Sequence, residues 1–346
     1  MKGAIYRKFK DDILIEDLPD PKLVKDGVIL KVLATGLCLS DWHGWMGHDA
    51  DIQLPHVPGH EMVGEVVEID PAITNFKIGD RVTLPFVGGC GRCSICLSGN
   101  PQVCPDQFQP GFTHWGSFAE YVVIHYAEHN LVHLPDSISN ATAASLGCRF
   151  ATSYRGVVQQ GRAKENEWVA VFGCGGVGLS AIMIAASKGA KVIAIDKKES
   201  ALSKAQEIGA AFVIHDDGAQ DVIELITTLS DGGVNLTIDA IGHPKVLMNA
   251  INALARRGRH VQIGLLEPQF ARAKVPMDRV LAYELEILGS HGMAALDYPE
   301  MLQLITDGML NPQLLIDKQI SLEESITLLP MMHNNPGSGV KVITSF

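Results

Sequence analysis

The chain has 346 residues, 47% of them hydrophobic, with 34 glycines, a length that suits two domains and a composition that suits an α/β protein with a real core. A net charge of −11 argues against nucleic acid or an anionic membrane as a partner. No apolar stretch approaches the ~20 residues that span a bilayer, and the opening MKGAIYRKFK carries no apolar secretory segment, so the chain reads as cytoplasmic.

Over residues 1–149, short β-rich runs alternate with Gly/Pro turns, which predicts an antiparallel, barrel-like region. Apolar runs at 28–34 and 62–69 flank two clusters of reactive side chains. After the first run, Cys38, Ser40, Asp41 and His43 place a thiol, a hydroxyl, a carboxylate and an imidazole in one short segment. Just before the second, Gly59-His60-Glu61 puts another imidazole beside a carboxylate. A lone cysteine is usually a small hydrophobe, but polar groups on loops at strand ends stand where function concentrates.

The next segment, 88–105, carries Cys90-x2-Cys93-x2-Cys96-x7-Cys104. Four thiolates make a closed tetrahedral shell, which is what a structural zinc needs. The short spacings turn successive thiols back onto one centre, and the glycines in and around the segment give the backbone freedom for it. Two disulfides are the alternative. Seven cysteines, an odd count, in a large chain without a secretory segment argue against them.

From 150 to 289 the pattern changes. Strands are predicted at 168–172, 191–195, 211–214, 234–238, 260–263 and 285–288, with a helix at 177–188 after the first. That alternation predicts a parallel, doubly wound sheet. Gly173-Cys174-Gly175-Gly176-Val177-Gly178 joins the first strand to the helix. Gly173 permits the tight turn, Gly175 lets a pyrophosphate approach the backbone, and Gly178 allows close helix–strand packing. The helix N-terminus then faces the phosphates. Asp196 ends the next strand, where an acid takes ribose hydroxyls and repels a 2′-phosphate, favouring NAD over NADP; Lys197 and Lys198 pull the other way. A helix N-cap is the plainer role for Asp196, and a small buried filler the one preferred for Cys174.

These motifs, in this order, resemble the zinc-dependent alcohol dehydrogenases of the medium-chain dehydrogenase/reductase superfamily, over essentially the whole chain. The resemblance rests on the MKGAIY start, Cys38-x-Ser40-Asp41, Gly59-His60-Glu61-x-x-Gly64, Gly79-Asp80-Arg81-Val82, the four-cysteine lobe, Cys148, the glycine loop and the Gly-Val-Lys-Val segment near the C-terminus. It implies a GroES-like β-rich catalytic domain at 1–149 and 290–346, with its zinc lobe at 88–105, and a Rossmann NAD-binding domain at 150–289. It implies two zinc ions per chain: a catalytic one on Cys38, His60 and Cys148, and a structural one on Cys90, Cys93, Cys96 and Cys104. Cys148 as third ligand favours the alcohol type over the polyol type.

The resemblance also gives Asp41 the task of orienting His60, Glu61 a place beside the metal from which it exchanges with water or substrate, Ser40 the alcohol proton, and His43 its passage to solvent. NAD contacts fall to Gly173, Gly175, Gly176, Val177, Gly178, Asp196 and Lys197, with Thr152, Ile263 and Leu265 about the nicotinamide and Lys341 where relatives place an arginine near the phosphates. Trp45 and Phe86 match positions lining the substrate cleft, with plain core packing as the alternative for each. Leu39 replaces a basic residue that many relatives direct at the pyrophosphate, and Arg149 replaces a glycine; the sequence leaves open whether Arg149 restores that charge. The compact segment between Cys104 and Cys148 implies a homotetramer. The implied reaction is hydride transfer between NAD and an alcohol, giving an aldehyde or ketone. A polyol, threonine-type or aldehyde-disproportionating dehydrogenase is the first alternative, and a non-catalytic zinc or redox-sensing protein the second.

Overall fold

Runs rich in valine, isoleucine and leucine become strands in this chain, because branched side chains pack well on a pleated surface. The computed structural model describes residues 1–334 and 339–346. They divide into two units, Met1–Ala151 with Gly292–Gly308 and Pro312–Phe346, and Thr152–His291 with Met309–Asn311.

In the first unit, β1 (Lys2–Ile5) and β2 (Leu14–Asp17) form an antiparallel pair. A larger sheet is built on β3 (Val28–Leu37), β4 (Glu61–Ile69), β5 (Arg81–Thr83), β6 (Tyr121–Ile124) and β7 (Val132–His133). The long β3 pairs antiparallel with β4 along its length, with β6 through residues 28–31, and with Val340–Ser345 through residues 35–37. Val28, Leu30 and Val32 pack there with Met62, Val66, Val82, Val122 and Ile124. Beyond residues 1–149, to which the antiparallel expectation applies, Ile316–Ser321 runs parallel to Val340–Ser345. Parallel neighbours need a crossover, and the helix Leu322–Leu328 lies on that connection.

The β3–β4 pairing matters most for function. Its register sets Gly36 opposite Glu61 and Thr35 opposite Met62. Cys38, just past the end of β3, and His60, just before the start of β4, therefore emerge side by side. Cys38 then caps the short helix α1 (Leu39–Trp45).

The second unit is a six-stranded sheet made of β8 (Trp168–Phe172), β9 (Lys191–Asp196), β10 (Phe212–His215), β11 (Val234–Asp239), β12 (Leu254–Gln262) and β13 (Glu286–Gly289). All pairs are parallel and the spatial order is β10-β9-β8-β11-β12-β13, the doubly wound order of dinucleotide-binding sheets. The helix α2 (Gly176–Ser187) follows β8. β12 begins at Leu254, six residues before the apolar run suggests. Its first half is masked in sequence by Arg256, Arg257, Gly258 and Arg259, and its pairing with β11 shifts register there. No described helix is long and apolar enough to cross a membrane.

Candidate active site

Cys38, His60 and Cys148 converge: the two sulfurs and a ring nitrogen of His60 lie within 4.8 Å of one another. Asp41, on the first turn of α1 and buried, holds two of these segments. Its Oδ2 accepts the Cys38 N–H at 2.9 Å, and its Oδ1 accepts the Gly59 N–H at 3.1 Å. The same Oδ1 lies 2.9 Å from His60 Nδ1. A carboxylate only accepts, so Nδ1 carries a proton, and in the neutral ring the lone pair falls on Nε2. That Nε2 is buried and has no hydrogen-bond partner. A buried acceptor left bare beside two thiols is costly unless something binds it. Sulfur, sulfur and imidazole are the donors a zinc ion takes, and three of them leave one position open. Of the two thiols, Cys38 is held low, first through the hydrogen bond from Cys148 and then, against burial, by the Arg149 charge.

Around the triangle, the rings of Phe112 and Phe86 stand 5.1 and 6.1 Å from that of His60. Tyr298, buried, donates to the Gly147 carbonyl at 3.4 Å; burial pushes its hydroxyl up, as do the nearby Cys148 and Glu61. Cys148 itself lies in a widened helical turn, Leu146–Phe150, a form frequent at functional positions. Ser40 Oγ is 3.7 Å from Cys38 Sγ. Three residues on, and so on the same helix face, His43 Nδ1 meets His48 Nδ1 at 3.0 Å.

Glu61 is buried and engaged. Its Oε1 accepts from the amides of Cys148 at 3.2 Å and Arg149 at 3.0 Å and from Arg149 Nε at 3.2 Å, while its Oε2 takes Arg149 Nη2. Burial pushes this carboxyl up, and the Arg149 charge opposes that.

In the lobe, Sγ–Sγ distances are 4.0 Å for Cys90–Cys96, 3.7 Å for Cys93–Cys104 and 3.6 Å for Cys90–Cys104. These are far beyond a disulfide bond. They match the edge of a tetrahedron of sulfurs about zinc, roughly 3.8 Å for Zn–S bonds of about 2.3 Å. Amides of Cys96 and Asp106 point at Cys93 and Cys104 sulfurs, at 3.4 and 3.3 Å. Gly91 takes a positive φ of 70°, where a side chain is strained.

In the second unit, Gly173 has φ +92°, and a Cβ on Gly178 would fall 1.7 Å from the Gly173 carbonyl oxygen. Gly175 faces open space. Asp196 Oδ2 accepts the Cys174 N–H at 2.6 Å and Oδ1 the Lys198 N–H at 2.9 Å, so this carboxylate braces the glycine loop as well as the next helix. Cys174 is buried, which pushes its thiol up to about 12. The loop fits the approach of a pyrophosphate.

Residues 24–136 match the alcohol dehydrogenase GroES-like domain family, and residues 176–307 match the zinc-binding dehydrogenase family. An alcohol dehydrogenase of Geobacillus stearothermophilus is 33% identical over 89% of this chain and 90% of its own. A sorbitol dehydrogenase of Bacillus subtilis is 32% identical, covering 94% of this chain and 91% of its own. Among solved structures, an alcohol dehydrogenase from E. coli CFT073 complexed with NADH superimposes with a TM-score of 0.89, at 25% identity and 99% coverage of each chain. The chain belongs to the zinc-type alcohol dehydrogenases of the medium-chain dehydrogenase/reductase superfamily. It is thus an oxidoreductase of the alcohol and polyol class, and its two cysteine-containing donor sets fit the zinc ions of that family.

The other residues singled out in the sequence stand as follows. Trp45 packs against the core of Ala4, Tyr6 and Trp42, and its indole N–H donates to the Asp11 carbonyl at 2.8 Å. Thr152 is buried, and its carbonyl accepts from Ser290 Oγ at 3.5 Å. The Val177 carbonyl accepts from Ser153 Oγ at 2.8 Å. Ile263 follows β12, and Leu265 is 69% exposed. Lys197 is exposed, and Lys341 Nζ lies 4.0 Å from Asp317. Arg149 is buried against Glu61 and the Leu37 carbonyl, so its charge is spent inside the first unit and does not replace the basic residue missing at Leu39. Tyr298 carried no sequence signal, since it stands singly between Asp297 and Pro299 with no motif about it.

Proposed function

We propose that the protein is an NAD-dependent alcohol dehydrogenase of the zinc type, interconverting alcohols with aldehydes or ketones by hydride transfer. The observation that carries this reading is the buried, unpartnered Nε2 of His60 beside the thiols of Cys38 and Cys148. When bound, zinc supplies Lewis acidity at the substrate oxygen. The chain's own residues do the rest. Asp41 keeps His60 in the tautomer that offers Nε2. Ser40 Oγ takes the alcohol proton, and His43, one turn along α1, passes it outward, with the exposed His48 next to it. Phe86 and Phe112, packed on the His60 ring, give the site apolar walls. Trp45 keeps a cleft-lining role only through its partly buried face.

Residues 150–289 are proposed as the NAD-binding domain, and 1–149 with 290–346 as the catalytic domain. Gly173, Gly175, Gly176, Val177 and Gly178 take the pyrophosphate, and Asp196 with Lys197 takes the adenosine ribose. Thr152, Ile263, Leu265 and Lys341 keep the cofactor contacts that the family resemblance implies. The half-exposed Asp196 carboxylate supports NAD over NADP; among structural relatives one is complexed with NADH and another is bound to NADP. A homotetramer in the cytoplasm completes the reading. A second reading, a polyol dehydrogenase, is favoured by the sorbitol dehydrogenase relative. NAD reduction across primary, secondary and aromatic alcohols and sorbitol tests both. Turnover of monohydric alcohols is expected; turnover of sorbitol alone supports the second reading, and none with any alcohol sinks both.

A further inference from the structure

Arg149 is a buried charge, and its contacts single out the chain neighbours of all three metal-ligating residues. Its Nη1 donates to the carbonyl of Leu37, the residue before Cys38, at 3.1 Å. Its Nε and Nη2 donate to Glu61, the residue after His60. Glu61 in turn accepts the amides of Cys148, at 3.2 Å, and of Arg149 itself, at 3.0 Å.

We propose that Arg149, together with Glu61, is a positioning residue that locks the Cys148 segment to the Cys38 and His60 segments and so sets the donor triangle before an ion arrives. The proposal rests on the reading that this triangle binds zinc. Asp41 already joins the Cys38 and His60 segments, through the amides of Cys38 and Gly59 and the ring of His60. Cys148 comes from a turn 87 residues further along the chain than Glu61. The Glu61–Arg149 network supplies the tie that Asp41 does not.

The space for this network is shaped to it. A Cβ on Gly36 would meet Glu61 Oε2 at 2.4 Å and Arg149 Nη2 at 3.1 Å, and one on Gly147 would meet Glu61 Cα at 3.2 Å. The partner choice also follows from chemistry. A guanidinium presents several donors in a rigid fork and reaches a carboxylate and a carbonyl together, whereas a lysine ammonium is a point donor on a flexible stem. The two opposite charges compensate each other inside the protein, where either one alone is costly. Ligands held in place by such outer contacts lose little freedom when the ion binds, and loss of such contacts typically weakens metal binding by about 10–100-fold.

The test is zinc release from the holoenzyme to a chromogenic chelator, with the four-cysteine lobe as internal reference. Arg149→Met strands Glu61 and endangers the fold, so the decisive variant is Glu61→Gln with Arg149→Met, which removes both charges at once. One of the two ions is expected to leave about 10–100-fold faster while the other keeps its wild-type rate, with Arg149→Lys in between. Cobalt placed in the site should show shifted ligand-field bands in the double variant, a change that a merely structural role leaves out. Wild-type release of both ions, or equal acceleration of both, overturns the proposal. A wild-type chain that binds only the lobe ion overturns the metal reading itself, and this proposal with it.

Discussion

Asp41 lies against Nδ1 of His60 and leaves Nε2 toward the two thiols, from a helix that also carries Ser40 and His43, the residues proposed for the proton path. Ser40 and His43 share one face of α1 because they are three residues apart. Ser40→Ala removes the first proton acceptor and is expected to lower turnover more than Ser40→Thr, which keeps the hydroxyl. His43→Gln is expected to slow alcohol oxidation most at low pH, with partial rescue by added buffer base, as for a missing general base. Steady-state pH–rate profiles with and without buffer check this; an unchanged profile with no buffer effect removes His43 from the path. These residues were legible because they lie within six positions of each other. Arg149 was visible only as an unusual neighbour of Cys148. Its pairing with Glu61 depends on how β3, β4 and the 146–150 turn meet, and nothing local in the sequence encodes that.

Elements differ in how they use their metal ligands. The lobe is a short loop whose ordering an ion offsets, whereas in the triangle Cys38 and His60 sit at the ends of strands that the sheet already fixes and Cys148 in a helical turn. Cys93→Ala is therefore expected to lower the melting temperature and remove one zinc, while Cys148→Ala keeps the fold and loses most activity. Thermal unfolding with metal analysis on both variants decides this, and wild-type melting and activity in both contradict it. Another element-level effect comes from the packing of Phe108, His114 and His125, whose rings lie 4.3–4.9 Å apart. Burial, then the nearby His114, pushes His125 down to about 4. In the unfolded chain it titrates near 6.5, so the unfolded state binds more protons between those values. This contribution to stability is full above about pH 6.5 and fades as pH falls toward 4. His125→Gln should flatten the fall in melting temperature between about pH 7 and 5; the same slope in both proteins would count against it. The lobe and the glycine loop were legible because their ligands are neighbours in sequence. The start of β12 and the parallel pair at the C-terminal edge were not. The first is an arginine-rich stretch, and the second depends on a crossover that periodicity does not reveal.

At the scale of the molecule, a six-stranded parallel sheet with a glycine loop and a predominantly antiparallel unit with two donor sets fall in separate parts of one chain. The alternation of strands and helices announced the first, and cysteine spacing announced the lobe. The triangle could be assembled from sequence only through the family resemblance, because Cys148 stands so far from Cys38 and His60. The two donor sets fit two zinc ions with different tasks, one closed by four thiolates and one with an open position. Elemental analysis of protein never exposed to chelator is expected to give two zinc ions per chain; one ion or none would rule this arrangement out.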